Sequence, residues 1–183
     1  MAVSISAGNV EVIERRRIAV TTLQTPGASQ PYHFSENLGF PEAEEFIGNC
    51  FEASKRLAVA AVRDVVGELH GRQYRVVGSA ILLASGRQLP PLSKILASHA
   101  LIHAAEGDFF REAFLKACEG LGLSVTGYPE RDLDESFRTT FGKAATRMRN
   151  RISTMGGALG PPWTKDQKSA ALAALLVLAN NKR

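Results

Sequence analysis

Two strand-like runs, Tyr74 to Ala84 (YRVVGSAILLA) and Leu123 to Tyr128, bracket a long amphipathic stretch from Leu92 to Phe114 (LSKILASHALIHAAEGDFFREAF). A strand, a crossover helix and a second strand form a βαβ unit, in which the two strands run parallel. Gly120 and Gly122 suit the end of the crossover helix, and the nearly unbroken apolar run after Tyr74 predicts a strand covered on both faces. Wound at about 100° per residue, the helix gathers His99, His103 and Glu106 into one arc with Leu92, Ile95, Leu96 and Phe110. That arc is the expected core face, and polar groups on a core face need partners. A competing reading makes Ser98 to Glu106 a strand, because Gly107 follows it, but apolar and polar residues alternate poorly there.

Elsewhere the chain gives a coarser pattern. Val10 to Leu23 mixes Val, Ile and Thr with charges and predicts one or two strands. Thr25 to Gly39 is rich in turn formers and predicts a loop, an ordered one because Tyr32, His33 and Phe34 give it something to pack. From Pro41 to about His70 a long helix is expected, with proline at its first position, Glu42, Glu44 and Glu45 at its positive end, and a buried face of Phe46, Ile47, Cys50, Leu57, Ala61, Val62, Val65 and Leu69. Asp134 to Met155 reads as a basic helix, Met155 to Pro162 as a loop, and Ala170 to Ala179 as a final alanine- and leucine-rich helix. The fold class that follows is α/β, a mixed sheet flanked by long helices. The expected domain is single over residues 1–183, with N-terminal strands and loop in 1–40 and the helices and sheet core in 41–183.

A chain of 183 residues with 45% hydrophobic content can bury an ordinary core, so disorder is not expected. The net charge of +4 permits a nucleic-acid partner without demanding one. With Cys50 and Cys118 as its two cysteines, the chain can build neither a disulfide framework nor a multi-cysteine zinc site. The N-terminus lacks the pattern of a signal peptide and no window has the apolar length of a membrane span, so a cytoplasmic protein without membrane contact is expected, with homo-oligomerisation left open.

Candidate chemistry concentrates at three places. His99 and His103 are four residues apart and Glu106 follows three later, which lets all three donate to one divalent ion from a single helix face. The zinc-protease pattern is absent, because Ala100 stands where its glutamate would follow the first histidine. The alternative for the same residues is a buried network in which both imidazoles bond to neighbours and Glu106 pairs with Arg111 or Arg75. Second, Thr164-Lys165-Asp166-Gln167 matches a capping box, with Asp166 either a first-turn acid at the helix dipole or one carboxylate of a magnesium site shared with Glu106. Third, Lys143, Arg147, Arg149 and Arg151 form a basic segment, with Arg15 to Arg17 as a second cluster; either contacts phosphate or is a solvated face. No nucleophile elbow occurs, and the glycines of Gly156 to Gly160 lack the Walker lysine.

The second half of the chain resembles RNase H-like nucleases of the Holliday-junction resolvase type. The resemblance lies in the order of elements: Glu106, the strand Leu123 to Tyr128, the proline-containing Tyr128-Pro129-Glu130, and Asp166 just before SAALAALLVLA. It implies an RNase H-like fold and a metal-dependent phosphodiester hydrolase acting on nucleic acid. It would make Glu106 and Asp166 metal-binding and catalytic, with magnesium or manganese the ion rather than zinc; joined to the spacing argument, the expectation adds His99 or His103 as a further ligand or proton shuttle and the Arg147 to Arg151 cluster on phosphate. The first strand departs from the pattern, offering Glu11 and Glu14 where the family carries an aspartate, and the family does not account for His99 and His103. The runner-up is a noncatalytic interaction protein built on a His and Glu polar network.

Overall fold

A computed structural model describes residues 2–6, 9–21, 24–84 and 88–181. The chain is mixed α/β and 65% helical, and it divides into two compact units. The first comprises residues 1–17, 76–85 and 123–183, the second residues 18–75 and 86–122.

In the first unit, β1 (Ala2–Ser6) and β2 (Asn9–Glu14) form an antiparallel pair with Val3 opposite Val12. β3 (Ser79–Leu83) and β4 (Val125–Pro129) form the parallel pair expected of the βαβ order, with Ser79 opposite Val125 and Leu83 opposite Pro129. Among the described residues the strands therefore make two separate two-stranded sheets rather than one mixed sheet. The strand expected over Tyr74 to Ala84 is paired only over five residues, since β4 offers no longer ladder, and every residue of β3 is half-buried rather than enclosed on both faces. Gly127 keeps the pair close: a Cβ there would come within 2.8 Å of the Leu83 side chain.

One helix organises this unit. α8 (Lys165–Asn180) buries Ala171, Leu172, Ala173, Leu175, Leu176 and Val177, so it is apolar nearly all round, as a helix at the centre of a core must be. It packs on β1 and β3 and on α5 (Leu133–Phe141) and α6 (Ala145–Thr154), with Phe137 and Ile152 fully enclosed. The basic segment is thus two short helices rather than one. Gly142, at φ +49°, breaks it in a backbone conformation that L side chains seldom adopt. The glycine-rich stretch contains one short turn of helix, α7 (Gly156–Leu159), where a Cβ on Gly156 would lie 2.7 Å from the Trp163 ring.

The second unit is helical. α2 (Phe40–Gly71) packs along α4 (His99–Gly120), while α1 (Pro31–Ser35), inside the expected loop, rests on both. α2 begins and ends within a residue of expectation; of the expected face Ile47, Cys50 and Leu69 are buried, joined by Ala43, Ser54 and Ala58, while Leu57 is exposed. On α4 this face meets small and large side chains alike, Ala58 clustering with Ala117 and Ile47 and Cys50 with Phe109. Cys50 and Cys118 are buried free thiols.

The helix expected from Leu92 to Phe114 is two helices. α3 (Leu92–Leu96) ends at Ala97, and Ser98 takes an extended backbone (φ −143°) as the N-cap of α4. The strand alternative over Ser98 to Glu106 gives way to helix. Its core face is Ile102, Ala105, Phe109 and Ala113, one position back from the arc of His99, His103, Glu106 and Phe110. His99 and His103 are consequently exposed, at the rim of the buried face.

Candidate metal centre

Everything described for this site belongs to the second unit. α4 presents His99 and His103 one turn apart, their Nε2 atoms 3.0 Å from each other. α1 brings a third imidazole that sequence spacing did not include. One ligand atom from each of His33, His99 and His103 lies within 4.8 Å of the other two. The rings meet edge to face, with His33 4.6 Å from His103 and 5.4 Å from His99 between centroids.

Glu106 is the reason His33 stands there. Its Oε1 accepts hydrogen bonds from the backbone amides of Tyr32 at 2.8 Å and His33 at 3.0 Å, and faces His33 Nδ1 at 3.3 Å. The first turn of any helix leaves amide donors without helical partners. In α1 Pro31 contributes no N–H, the N-cap Gln30 makes no side-chain bond, and Glu106 supplies the missing acceptor from another helix. Oε2 of the same carboxylate is buried without a hydrogen-bond partner. Arg111, one of the bases expected to pair with Glu106, reaches Asp108 instead at 3.1 Å. The Glu106 charge is felt around it: burial first, then that carboxylate, push the Tyr32 phenol and the Cys50 thiol up from their ordinary values. Cys50 is therefore not an activated nucleophile.

Three imidazoles suit a divalent transition ion, which nitrogen donors hold at about 2.0–2.1 Å. Two ligands at that distance, separated by an angle between about 90° and 110°, lie roughly 2.8–3.4 Å apart. The His99 and His103 nitrogens already do, at 3.0 Å. Without an ion, one of these nitrogens must donate its proton to the other, so binding would replace that bond with two coordinate bonds.

The other expected site residues separate from this group. Asp166 lies in the first unit, exposed in the first turn of α8, whereas Glu106 lies in the second. The capping box beside Asp166 forms as expected, with the Thr164 amide donating to Gln167 Oε1 at 2.8 Å. Of the basic segment, Lys143 and Arg147 are exposed. Arg149 binds the Asp134 carboxylate at 2.6 Å and lies over the Phe137 ring. Arg151 donates to the Val10 carbonyl at 3.2 Å. Arg15, from the second cluster, donates to the carbonyls of Leu159, Gly160 and Pro162. These arginines hold unit 1 together. A hollow of about 330 Å³ in that unit is lined by Asp132, Glu135, Thr139 and Asn180, an acidic lining that repels phosphate.

His33 was legible only as an aromatic-rich, ordered loop, since nothing in spacing ties it to a helix beginning at His99. No helix among the described residues is long and apolar enough to cross a membrane. No family model, curated protein or solved structure matches this chain.

Proposed function

We propose that this chain is a metal-dependent protein whose divalent ion is held by His33, His99 and His103. The observation that carries this reading is the arrival of His33, on a separate element, beside an exposed His99–His103 pair already spaced for one ion. Three protein ligands leave a coordination position for water, and two of the three are solvent-exposed, as in sites that exchange ligands rather than closed structural ones. An ion in this position would lower the pKa of bound water and make it a nucleophile, which is the chemistry a phosphodiester hydrolase needs. Phosphodiesters of nucleic acid are the substrate class suggested by the element order of the second half of the chain. Lys143 and Arg147 of the basic segment are exposed bases available to phosphate. In this reading Glu106 acts behind His33, and Asp166 has its place as a first-turn acid of α8.

A second reading is favoured by the direct His99–His103 bond and the mutual packing of the three rings: a metal-free polar network serving an interaction surface. Calorimetric titration of zinc, manganese and magnesium into the full chain separates the two. The metal reading predicts one ion per chain, lost in His99→Ala and in His103→Ala. An unchanged heat in those variants, or none in the wild type, leaves the network reading.

A further inference from the structure

We infer that Glu106 is a positioning residue for this site, an outer carboxylate that fixes His33 in the ligating tautomer and adapts the centre to a late first-row ion of the zinc class rather than to magnesium. This rests on the metal reading above and deepens it.

An ionised carboxylate only accepts hydrogen bonds. With Glu106 Oε1 facing His33 Nδ1 at 3.3 Å, the ring proton of neutral His33 resides on Nδ1, and the lone pair available to an ion is on Nε2. The same oxygen holds the His33 backbone amide at 3.0 Å, so ring and main chain of this residue are fixed from one point. Metal-bound histidines generally donate their second ring nitrogen to such an acceptor, which orients the imidazole and raises its basicity. Glu106 does not join the imidazoles in the 4.8 Å group, which places its charge behind the ligand rather than on the ion.

The buried, unpartnered Oε2 is a second and independent pointer. A carboxylate whose side chain is only 12% exposed, with one oxygen serving three donors and the other none, sets a partly buried negative charge directly behind the His33 ring. A divalent ion on the far side of the His33 ring offsets that charge through the Nδ1–H bond. Magnesium gains little from such a centre, because it demands oxygen ligands and keeps its waters. An all-imidazole set with a carboxylate behind it suits zinc, cobalt or nickel.

The test uses the full chain, with zinc and cobalt as probes. Wild-type protein should bind one zinc ion that about a hundredfold excess of magnesium does not displace. Glu106→Gln keeps an acceptor oxygen for the α1 amides but loses the charge, and should weaken zinc about tenfold, with Glu106→Ala toward about a hundredfold, the range for outer partners of ligating histidines. The visible absorption of bound cobalt, which reports ligand field and coordination, should shift in Glu106→Gln while its melting temperature stays near that of wild type. If both variants bind zinc within about twofold of wild type and the cobalt spectrum is unaltered, Glu106 is a helix cap only and this inference fails while the three-histidine reading stands. If magnesium displaces zinc, the ion class is wrong. If wild type binds no zinc or cobalt, the metal reading itself fails and takes this one with it.

Discussion

The first turns of α4, from His99 to Glu106, and the start of α8 are both crowded with polar side chains, and they resolve that crowding in opposite ways. At α8, Thr164 and Gln167 satisfy each other within four residues, and Asp166 sits in the first turn, where a negative charge is favourable. At α4, Glu106 finds its partners 73 and 74 positions away in α1, and His99 and His103 are joined there by His33. The first pattern closes locally and leaves nothing over for chemistry. The second is assembled by tertiary structure and leaves three imidazoles gathered together with a buried carboxylate oxygen beside His33.

Substitutions can break that contrast at graded cost. Deleting core volume beneath either helix, by Ile102→Ala under α4 or Leu175→Ala in α8, should destabilise by about 2–5 kcal/mol in chemical denaturation, since both side chains are fully enclosed. Glu106→Ala should cost less, about 1–3 kcal/mol, because it leaves the Tyr32 and His33 amides without their acceptor. A loss below about 0.5 kcal/mol would mean α1 does not depend on this carboxylate. Thr164→Ala should cost about 1 kcal/mol through the α8 cap and leave metal affinity untouched. Asp166→Asn should be the mildest, about 0.3–1 kcal/mol from the helix dipole. Loss of metal binding in Asp166→Asn would erase the contrast, because it would draw that acid into the same centre as Glu106.

Alkaline unfolding supplies a further check on the region around Glu106. The Tyr32 phenol is raised by burial, then by Glu106 and Asp108, so the folded chain holds that proton more tightly than the unfolded one. Its stabilising contribution is present below the ordinary phenol value of 10.0 and is lost as pH climbs through the raised folded value. Tyr32→Phe should therefore shallow the fall of stability above about pH 10. An equally steep fall in the variant would place the sensitivity in other groups.

What the sequence disclosed follows the same line between local and distant. The capping box, the extent of α2 and the parallel strand pair around a helical crossover were legible, because each depends on a short pattern or on element order. The core face of α4 was misplaced by one position. The apolar arc ran on from Leu92, Ile95 and Leu96, which belong to a separate helix, and the break at Ser98 resets the phase. His99 and His103 were found from spacing, whereas His33 was not, since its place is set by Glu106 capping α1 across the fold. For the basic segment, which the sequence left open between a phosphate surface and a solvated face, sequence could not show that Arg149 pairs with Asp134 and Arg151 with a strand carbonyl.

Zinc titration of His33→Ala, with circular dichroism confirming the fold, tests the central claim most directly. His33 lies far from the other two in sequence and is no part of any helical spacing argument. The account predicts that wild type binds one zinc ion per chain and that His33→Ala loses at least about tenfold in affinity, more than about 1.4 kcal/mol. Equal affinity in the two proteins would contradict it, leaving the three imidazoles as packed neighbours rather than a metal centre.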